Sequence, residues 1–394
     1  MPRLVVSTVG TSLLTNQIDV FTDSEECFAE IQASANHTEE EISNRAKEII
    51  LELKDRAEDK IYNAKNSKQI RDASAELNGI YGLYDRKLEQ GKSDIHWLIA
   101  TDTYQGQITA QIVQEFLQKE GINAHIQQPK KLSTYNTDRF SYGIDELLEW
   151  WDTIFLAHKN THDIYFNLAG GFKAMQGYAN TIGMLYGAEI IYIFEGNLDY
   201  ITIPKLPIKI DYSVIKPAQF ALMASKSVDI YIKLSELKGV PDSLISKIGD
   251  EATLNNWGRL LWNRDKDNFF TQELIEFPRL IYEKSFHKDY ERRTVDEKIK
   301  FELHSALSEI SAIMLKFNGD TSRIDPKFKY RRYEGSQKCE GGLRKNEIDH
   351  FYLNKNEGWR VSCVVDTIQD STQKKVKFLR MRHVGEHDYV NDNP

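Results

Sequence analysis

Leu4-Val5-Val6-Ser7-Thr8-Val9-Gly10-Thr11-Ser12-Leu13-Leu14 is a short apolar run that breaks at a glycine turn and resumes as a helical pattern. Asp163-Ile164-Tyr165-Phe166-Asn167-Leu168-Ala169-Gly170-Gly171-Phe172-Lys173 repeats the plan later in the chain. Strand, tight turn and crossover helix is the unit of an open parallel sheet, in which ligands bind beyond the carboxyl ends of the strands. Both turns are therefore expected on one rim. The backbone of Gly10, Gly170 and Gly171, the hydroxyls of Thr11 and Ser12, the Asn167 side chain and the Lys173 ammonium suit an anionic, hydrogen-bonding ligand. Neither turn has GxGxxG or GxxxxGK[ST] spacing, so no nicotinamide or P-loop site is expected.

The stretch between and beyond the two turns alternates in the same way. A strand at 95–100, a helix at 107–119, a strand at 124–128, a helix at 143–157, a helix at 172–186 and a strand at 189–193 predict parallel strands with right-handed crossovers. Residues 199–211 read as a terminal β hairpin. From Ser24 to about Glu89 the chain is charged and helical in pattern, with Ile42, Ala46, Ile49, Ile50, Leu53 and Ala57 on one stripe. This excursion is expected to form a helical hairpin or a dimer arm. A third turn, Thr101-Asp102-Thr103-Tyr104-Gln105-Gly106-Gln107, follows the 95–100 strand. Thr101 and Thr103 offer hydroxyls, Tyr104 a stacking face and Gln105 an amide for base edges.

Length and charge bound the rest. The chain has 394 residues and a net charge of −8, enough for two or three domains. No apolar run suits a bilayer, no signal-peptide pattern opens the chain, and three scattered cysteines suggest a reducing cytoplasm. No CxxC or HExxH spacing is present, so no metal is expected. From Glu276 onward 23 Lys and Arg face 20 Asp and Glu, whereas the remainder carries −11. A mildly basic module holding five of the ten histidines, beside an acidic one, suits RNA chemistry.

The three turns, TVGTSLLTN, TDTYQGQ and NLAGGFKAM, resemble the CARF domains of type III CRISPR ancillary proteins over residues 1–212. The resemblance implies a Rossmann-like sensor with an inserted helical hairpin, acting as a homodimer. Its expected allosteric activator is a cyclic oligoadenylate, usually cyclic tetra-adenylate, with no other cofactor. Some members also cleave their activator through its own 2′-OH. Ser12 and Lys173 would then position the phosphate and stabilise developing charge, or only bind it.

Residues 213–275 read as a helical, winged-helix-like connector without a basic recognition helix. Residues 276–394 predict an α+β module, a small antiparallel sheet with helices on one face, in the order β-α-α-β-β-β, with strands at 279–282, 327–333, 347–353, 359–366 and 375–381 and helices at 284–293 and 296–316. That order, with Gly358-Trp359-Arg360-Val361 and Leu379-Arg380-Met381-Arg382-His383-Val384-Gly385-Glu386-His387-Asp388-Tyr389, resembles RelE-type mRNA interferases. The resemblance implies that Arg360 meets the scissile phosphate, that Tyr389 stacks on or orients the mRNA, and that the partners are the ribosome and translated mRNA. His350 and Tyr352 stand where that family has lysines, and His383 where it often has arginine. Metal-free transfer needs a base for the 2′-OH, an acid for the leaving 5′-oxygen and cations for the phosphorane. His350 and His383 are the acid–base candidates, Arg360 and Arg382 the cations, and His387 a supporting group.

Three other readings stand beside this one. Arg382 to His387 matches the RxxxxH pattern of HEPN ribonucleases, which requires a helix. Asn346-Glu347-Ile348-Asp349 resembles the acidic strand of PD-(D/E)xK nucleases, although no lysine follows on the next strand. A sensor without enzymatic activity, acting on DNA or a partner protein, is the third.

Overall fold

A computed structural model describes every residue except 20, 187, 188, 194–198, 205, 208, 354–357 and 370–374, together with the side chain of residue 340. The expected turn at 354–358 lies, Gly358 apart, outside the described residues. The chain divides into two compact units, Met1–Ile210 and Asp211–Pro394.

The first unit contains β1 (Arg3–Thr8), α1 (Ser12–Thr15), α2 (Glu25–Ala33), α3 (Asn44–Tyr62), α4 (Ser67–Ala73), α5 (Ala75–Leu83), β2 (Ile95–Ile99), α6 (Tyr104–Lys119) and β3 (Asn123–Gln127). α7 (Thr137–His158), β4 (Asp163–Asn167), α8 (Lys173–Tyr186), β5 (Glu189–Ile193) and β6 (Tyr200–Ile203) complete it. The sheet order is β3-β2-β1-β4-β5-β6, parallel except for the antiparallel edge β6. The α/β doubly wound fold expected from the alternation is present. Buried on both faces, β1 is a continuous apolar run, as interior parallel strands are. Val5 joins the core with Ile50, Leu53, Leu77 and Val113, while Val6 faces Trp151, Met175 and Ile182.

The 24–89 excursion is helical and packs back on the sheet instead of standing off as an arm. Its residues from Ala46 to Leu83 share a core with β1, β2 and α6. In α5 every side chain from Glu76 to Leu83 is buried, and the helix packs against β4, β5 and β6. A helix apolar nearly all round belongs in an interior, and α5 is the clearest case here.

The second unit opens with α9 (Pro217–Met223), β7 (Ile232–Lys233), β8 (Ile245–Ile248), β9 (Glu251–Leu254) and α10 (Asn256–Phe270), with a three-stranded sheet ordered β7-β9-β8. There follow β10 (Leu280–Tyr282), α11 (Lys284–Tyr290), α12 (Glu297–Lys316), β11 (Arg331–Arg332), β12 (Asp349–Tyr352), β13 (Trp359–Gln369), β14 (Lys375–Glu386) and α13 (His387–Asp392). One core runs through both parts, from Phe220, Leu222 and Trp262 to Leu307, Phe351 and Met381.

The five-stranded sheet is ordered β10-β14-β13-β12-β11. It differs from the expected antiparallel sheet in three places. β10 pairs parallel with β14, because α11 and α12 return the chain to the far edge. The strand expected at 327–333 shrinks to Arg331–Arg332, because Asp325 caps a 3-10 turn at Pro326–Phe328 and Lys329 takes a left-handed φ of 46°. β14 runs on to Glu386 and carries Arg382 and His383 on a strand.

Candidate functional site

The two expected glycine turns meet. β1 and β4 are neighbours in register, Ser7 opposite Asn167, and their crossovers leave to opposite sides of the sheet. This is the switch point at which such sheets bind ligands. A Cβ on Gly10 would stand 3.0 Å from the Gly171 nitrogen, so a side chain there would press the two turns apart by a few tenths of an ångström. Gly171 also needs its φ of 89°. Thr8 Oγ1 donates to the Gly170 carbonyl at 2.5 Å and ties turn to turn. Ser12 and Lys173 stand exposed at the starts of α1 and α8, with Thr11 half-buried beside them.

Other expected rim groups serve the fold. Gly10 N–H donates to Glu76 Oε1 at 2.8 Å, so this amide already has an acceptor. Glu76 is fully buried, also receives the Ser74 hydroxyl, and has its carboxyl pushed up by burial. Asn167 is buried and donates to Ser7 Oγ and the Glu76 carbonyl. The third turn is closed in the same way. Thr103 caps α6 through Gly106 N–H and bonds Thr101 Oγ1. Tyr104 is buried, and Gln105 donates to Ile31 O and Ser34 Oγ rather than presenting its amide at the rim. Glu76 was missed because it lies in the excursion read as a helical hairpin or dimer arm; its one sequence signal is Ser74-Ala75-Glu76, a capping serine with an acidic first turn.

In the second unit, strand pairing assembles the C-terminal candidates. Arg331, His350, Ser362 and His383 stand directly opposite one another across four adjacent strands. Tyr352, Arg360 and Gly385 form the next row on the same face. Four strands thus place on one face what the sequence scatters from 331 to 385. His350 and His383 are two strand spacings apart, about 9–10 Å.

Arg360 is the feature with the plainest electrostatics. It is 2 % exposed, donates to Tyr352 OH and to Asn391 Oδ1, and lies 4.5 Å over the Tyr352 ring. Its Nε is buried without a partner, and among the described residues no carboxylate pairs with it. A buried cation lacking an anion is unfavourable on the order of 3–5 kcal/mol, unless something anionic comes to it. Cations surround it: Arg331 reaches Tyr352 OH and His350, and Lys345 Nζ donates to the Asn391 carbonyl. Arg382, the other expected cation, is buried and engaged elsewhere, with Nε on the Pro394 carbonyl and NH1 3.9 Å from Glu283.

The histidines separate by environment. His350 is buried under Tyr333, ring centroids 4.1 Å apart, and accepts from Arg331 Nε. Burial first, then the charges of Arg360 and Arg331, press its pKa down from 6.5 to about 3, so it is neutral at working pH. His387 is half exposed, stacks on Tyr352 and meets Asn391. His383 lines a cleft of about 340 Å³ with Lys338, Lys345 and Asn391. Its Nδ1 lies 2.9 Å from Asp289 Oδ2, and the same carboxylate takes Tyr389 OH at 2.9 Å and Arg292 at 2.8 Å. Tyr389 has Arg292 4.0 Å over one face of its ring, and Gly385 packs against the ring edge, which leaves less surface for stacking than the sequence suggested. Asp289 was not among the sequence candidates, because nothing local links α11 to a histidine 94 residues away.

Two competing motifs meet specific obstacles. The RxxxxH run from Arg382 to His387 lies on β14 up to Glu386, whereas the HEPN reading needs a helix. Asp349 is held by Arg332 and Tyr330, and among the described residues no cluster of three or more His, Cys, Asp or Glu is poised for a metal. Among those residues, too, no helix is long and apolar enough to cross a membrane.

Residues 71–206 match the CRISPR-associated protein family Cas_APE2256. The matched stretch runs from α4 to the end of the sheet and includes Glu76, the third turn and the glycine turn after β4. The likeness supports a CRISPR-associated protein.

Proposed function

We propose that this chain is a CRISPR-linked, cyclic-oligoadenylate-activated endoribonuclease that cuts translated mRNA without a metal. The reading rests on one observation above others: Arg360, a buried arginine without a carboxylate, shares a sheet face with His383, which lines a cleft. Such a pair serves phosphodiester transfer. The arginine holds a non-bridging oxygen and stabilises the charge that develops on the phosphorane. A histidine takes the 2′-OH proton, the oxygen attacks the adjacent phosphorus, and an acid protonates the departing 5′-oxygen. The products are a 2′,3′-cyclic phosphate and a 5′-hydroxyl. His383 and the accessible His387 are the proton-transfer groups of this proposal, and the buried, neutral His350 braces Arg331. The phosphate takes the place that Asn391 Oδ1 holds on Arg360.

In the first unit the activator's phosphates meet Thr11, Ser12, the Gly171 amide and Lys173 in a cytoplasmic homodimer. The resemblance to CARF and RelE-type proteins supplies the ligand, the ribosome and the dimer to this proposal, and self-limiting cleavage of the activator belongs to it as well. The test is in vitro translation with the protein, with and without cyclic tetra-adenylate, read by primer extension in magnesium-buffered and chelated naked-RNA controls. Ligand-dependent A-site cuts lost in His383→Ala support it. Ligand-dependent cleavage that occurs only with magnesium on naked nucleic acid, or no cleavage, overturns it.

A further inference from the structure

We infer that Asp289 is the positioning residue of the nuclease site: it fixes the His383 ring with the proton on Nδ1 and leaves Nε2 as the working atom. The inference rests on the ribonuclease reading for its consequence and on hydrogen-bond accounting for its content. Asp289 is 1 % exposed, and both of its oxygens are engaged. Oδ2 takes Val384 N–H at 3.3 Å and faces His383 Nδ1 at 2.9 Å. Oδ1 takes Tyr389 OH at 2.9 Å and pairs with Arg292 NH2 at 2.8 Å. Val384 N–H and Arg292 can only donate; Tyr389 OH accepts from Arg292 and stands 2.9 Å from Asp289 Oδ1 but 3.3 Å from His383 Nδ1, so its own proton goes to the nearer, charged oxygen. A carboxylate that receives every neighbour in this way is ionised and has no proton to offer. His383 Nδ1 must therefore be the donor, and the neutral ring carries its lone pair on Nε2. Nε2 makes no hydrogen bond among the described residues, while His383, 6 % exposed, is among the residues that line the cleft.

The arrangement has a chemical use. Nε2 can take a proton from the 2′-hydroxyl, and the adjacent Asp289 then balances the imidazolium that results. The same proton can leave to the 5′-oxygen in the reverse role. Tyr389 and Arg292 stop the carboxylate from turning away, and Gly385 makes room for them: a Cβ there would stand 2.5 Å from Tyr389 Cδ1. Arg292 and Tyr389 thus act on the reaction through Asp289 and not by touching RNA.

The experiment uses the full-length protein with ¹⁵N-labelled histidine, the His383 signals being identified by their loss in His383→Gln. The wild type is expected to show protonated Nδ1 and unprotonated Nε2. In Asp289→Asn the side-chain amide can donate to Nδ1, which moves the proton to Nε2. Single-turnover cleavage of ribosome-bound mRNA should then fall about 10²–10⁴-fold in kcat with KM unchanged. Asp289→Glu keeps the carboxylate and should restore the Nδ1 proton and part of the rate. It also guards against an Asn variant that does not fold, as judged by cyclic tetra-adenylate binding and circular dichroism. An unchanged tautomer and rate in a folded Asp289→Asn overturns the inference. Absence of RNA cleavage by the wild type overturns the ribonuclease reading instead, and the His383 tautomer still decides whether Asp289 sets it.

Discussion

Gly10 and Glu76 are joined by a 2.8 Å hydrogen bond from backbone N–H to a fully buried carboxyl, 66 residues apart in the chain. The contact places an acidic group from the helical layer directly against the glycine turn that follows β1. Burial pushes the carboxyl above its ordinary 4.5, so the fold binds this proton more tightly than the unfolded chain does. The resulting stabilisation is complete below pH 4.5 and is lost as pH rises through the folded pKa. Glu76→Gln keeps the acceptor for Gly10, puts an amide donor where Glu76 Oε2 receives the Ser74 hydroxyl, and cannot ionise. Thermal unfolding between pH 5 and pH 8 should therefore fall less steeply in the variant than in the wild type; parallel curves would show that Glu76 does not titrate there.

Gly170 and Gly177 offer opposite outcomes for one substitution. A Cβ on Gly170 would lie 1.9 Å from Glu76 Oε1, whereas nothing lies within 4 Å at Gly177, inside α8. Gly170→Ala should destabilise by about 1–3 kcal/mol and weaken cyclic tetra-adenylate binding. Gly177→Ala should stabilise by about 0.5–1 kcal/mol. Urea titration of both variants checks the contrast, and equal effects would remove the close approach from the account.

Arg360 is predicted to trade stability for function. Replacing a buried, unpaired cation with an apolar chain of similar length removes its desolvation penalty. Arg360→Met should unfold at the same denaturant concentration as the wild type or higher, yet lose about 10²–10³-fold in RNA cleavage. A variant that loses much stability would mean that the bonds to Tyr352 and Asn391 outweigh the unpaired charge.

His350 gives the second unit an acid sensitivity of its own. Its pKa is about 3 in the fold against 6.5 ordinarily, so unfolding takes up a proton between these values. Stability from this residue is present above about pH 6.5 and falls as pH drops towards 3. His350→Gln should flatten that limb of the denaturation profile. Inorganic phosphate at Arg360 should also reduce the loss in the wild type by offsetting the cations around the ring, and a profile indifferent to both would assign the acid lability elsewhere.

The strand–turn–helix units were legible because their signals are local. Leu4 to Val6 is apolar on both faces, Gly171 supplies a positive φ, and the later alternation of strand and helix dictates parallel crossovers. The periodicity of residues 42 to 57 likewise marked a helix, but not the sheet face that it covers, because a stripe specifies burial and not its partner. Gln105 and Asn167 show the same limit: a polar side chain in a rim motif reads as ligand-binding until the packing shows which backbone groups it satisfies.

At the C-terminal end the chemistry-bearing residue types were visible, and their grouping was not. Arg382-His383-Val384-Gly385-Glu386-His387 is compatible with a helix or a strand when read alone, and pairing with β13 settles it as a strand up to Glu386, with His387 opening α13. By itself the sequence determined the α/β fold of the first unit, its switch-point rim and the set of histidines and arginines near the C-terminal end. The tertiary structure alone decided that Glu76 occupies the Gly10 amide, that Arg360 lies buried without an anion and that Asp289 holds His383. Those three facts concern partners distant in the chain, and only long-range packing brings such groups within hydrogen-bonding reach or excludes the water that would otherwise screen them.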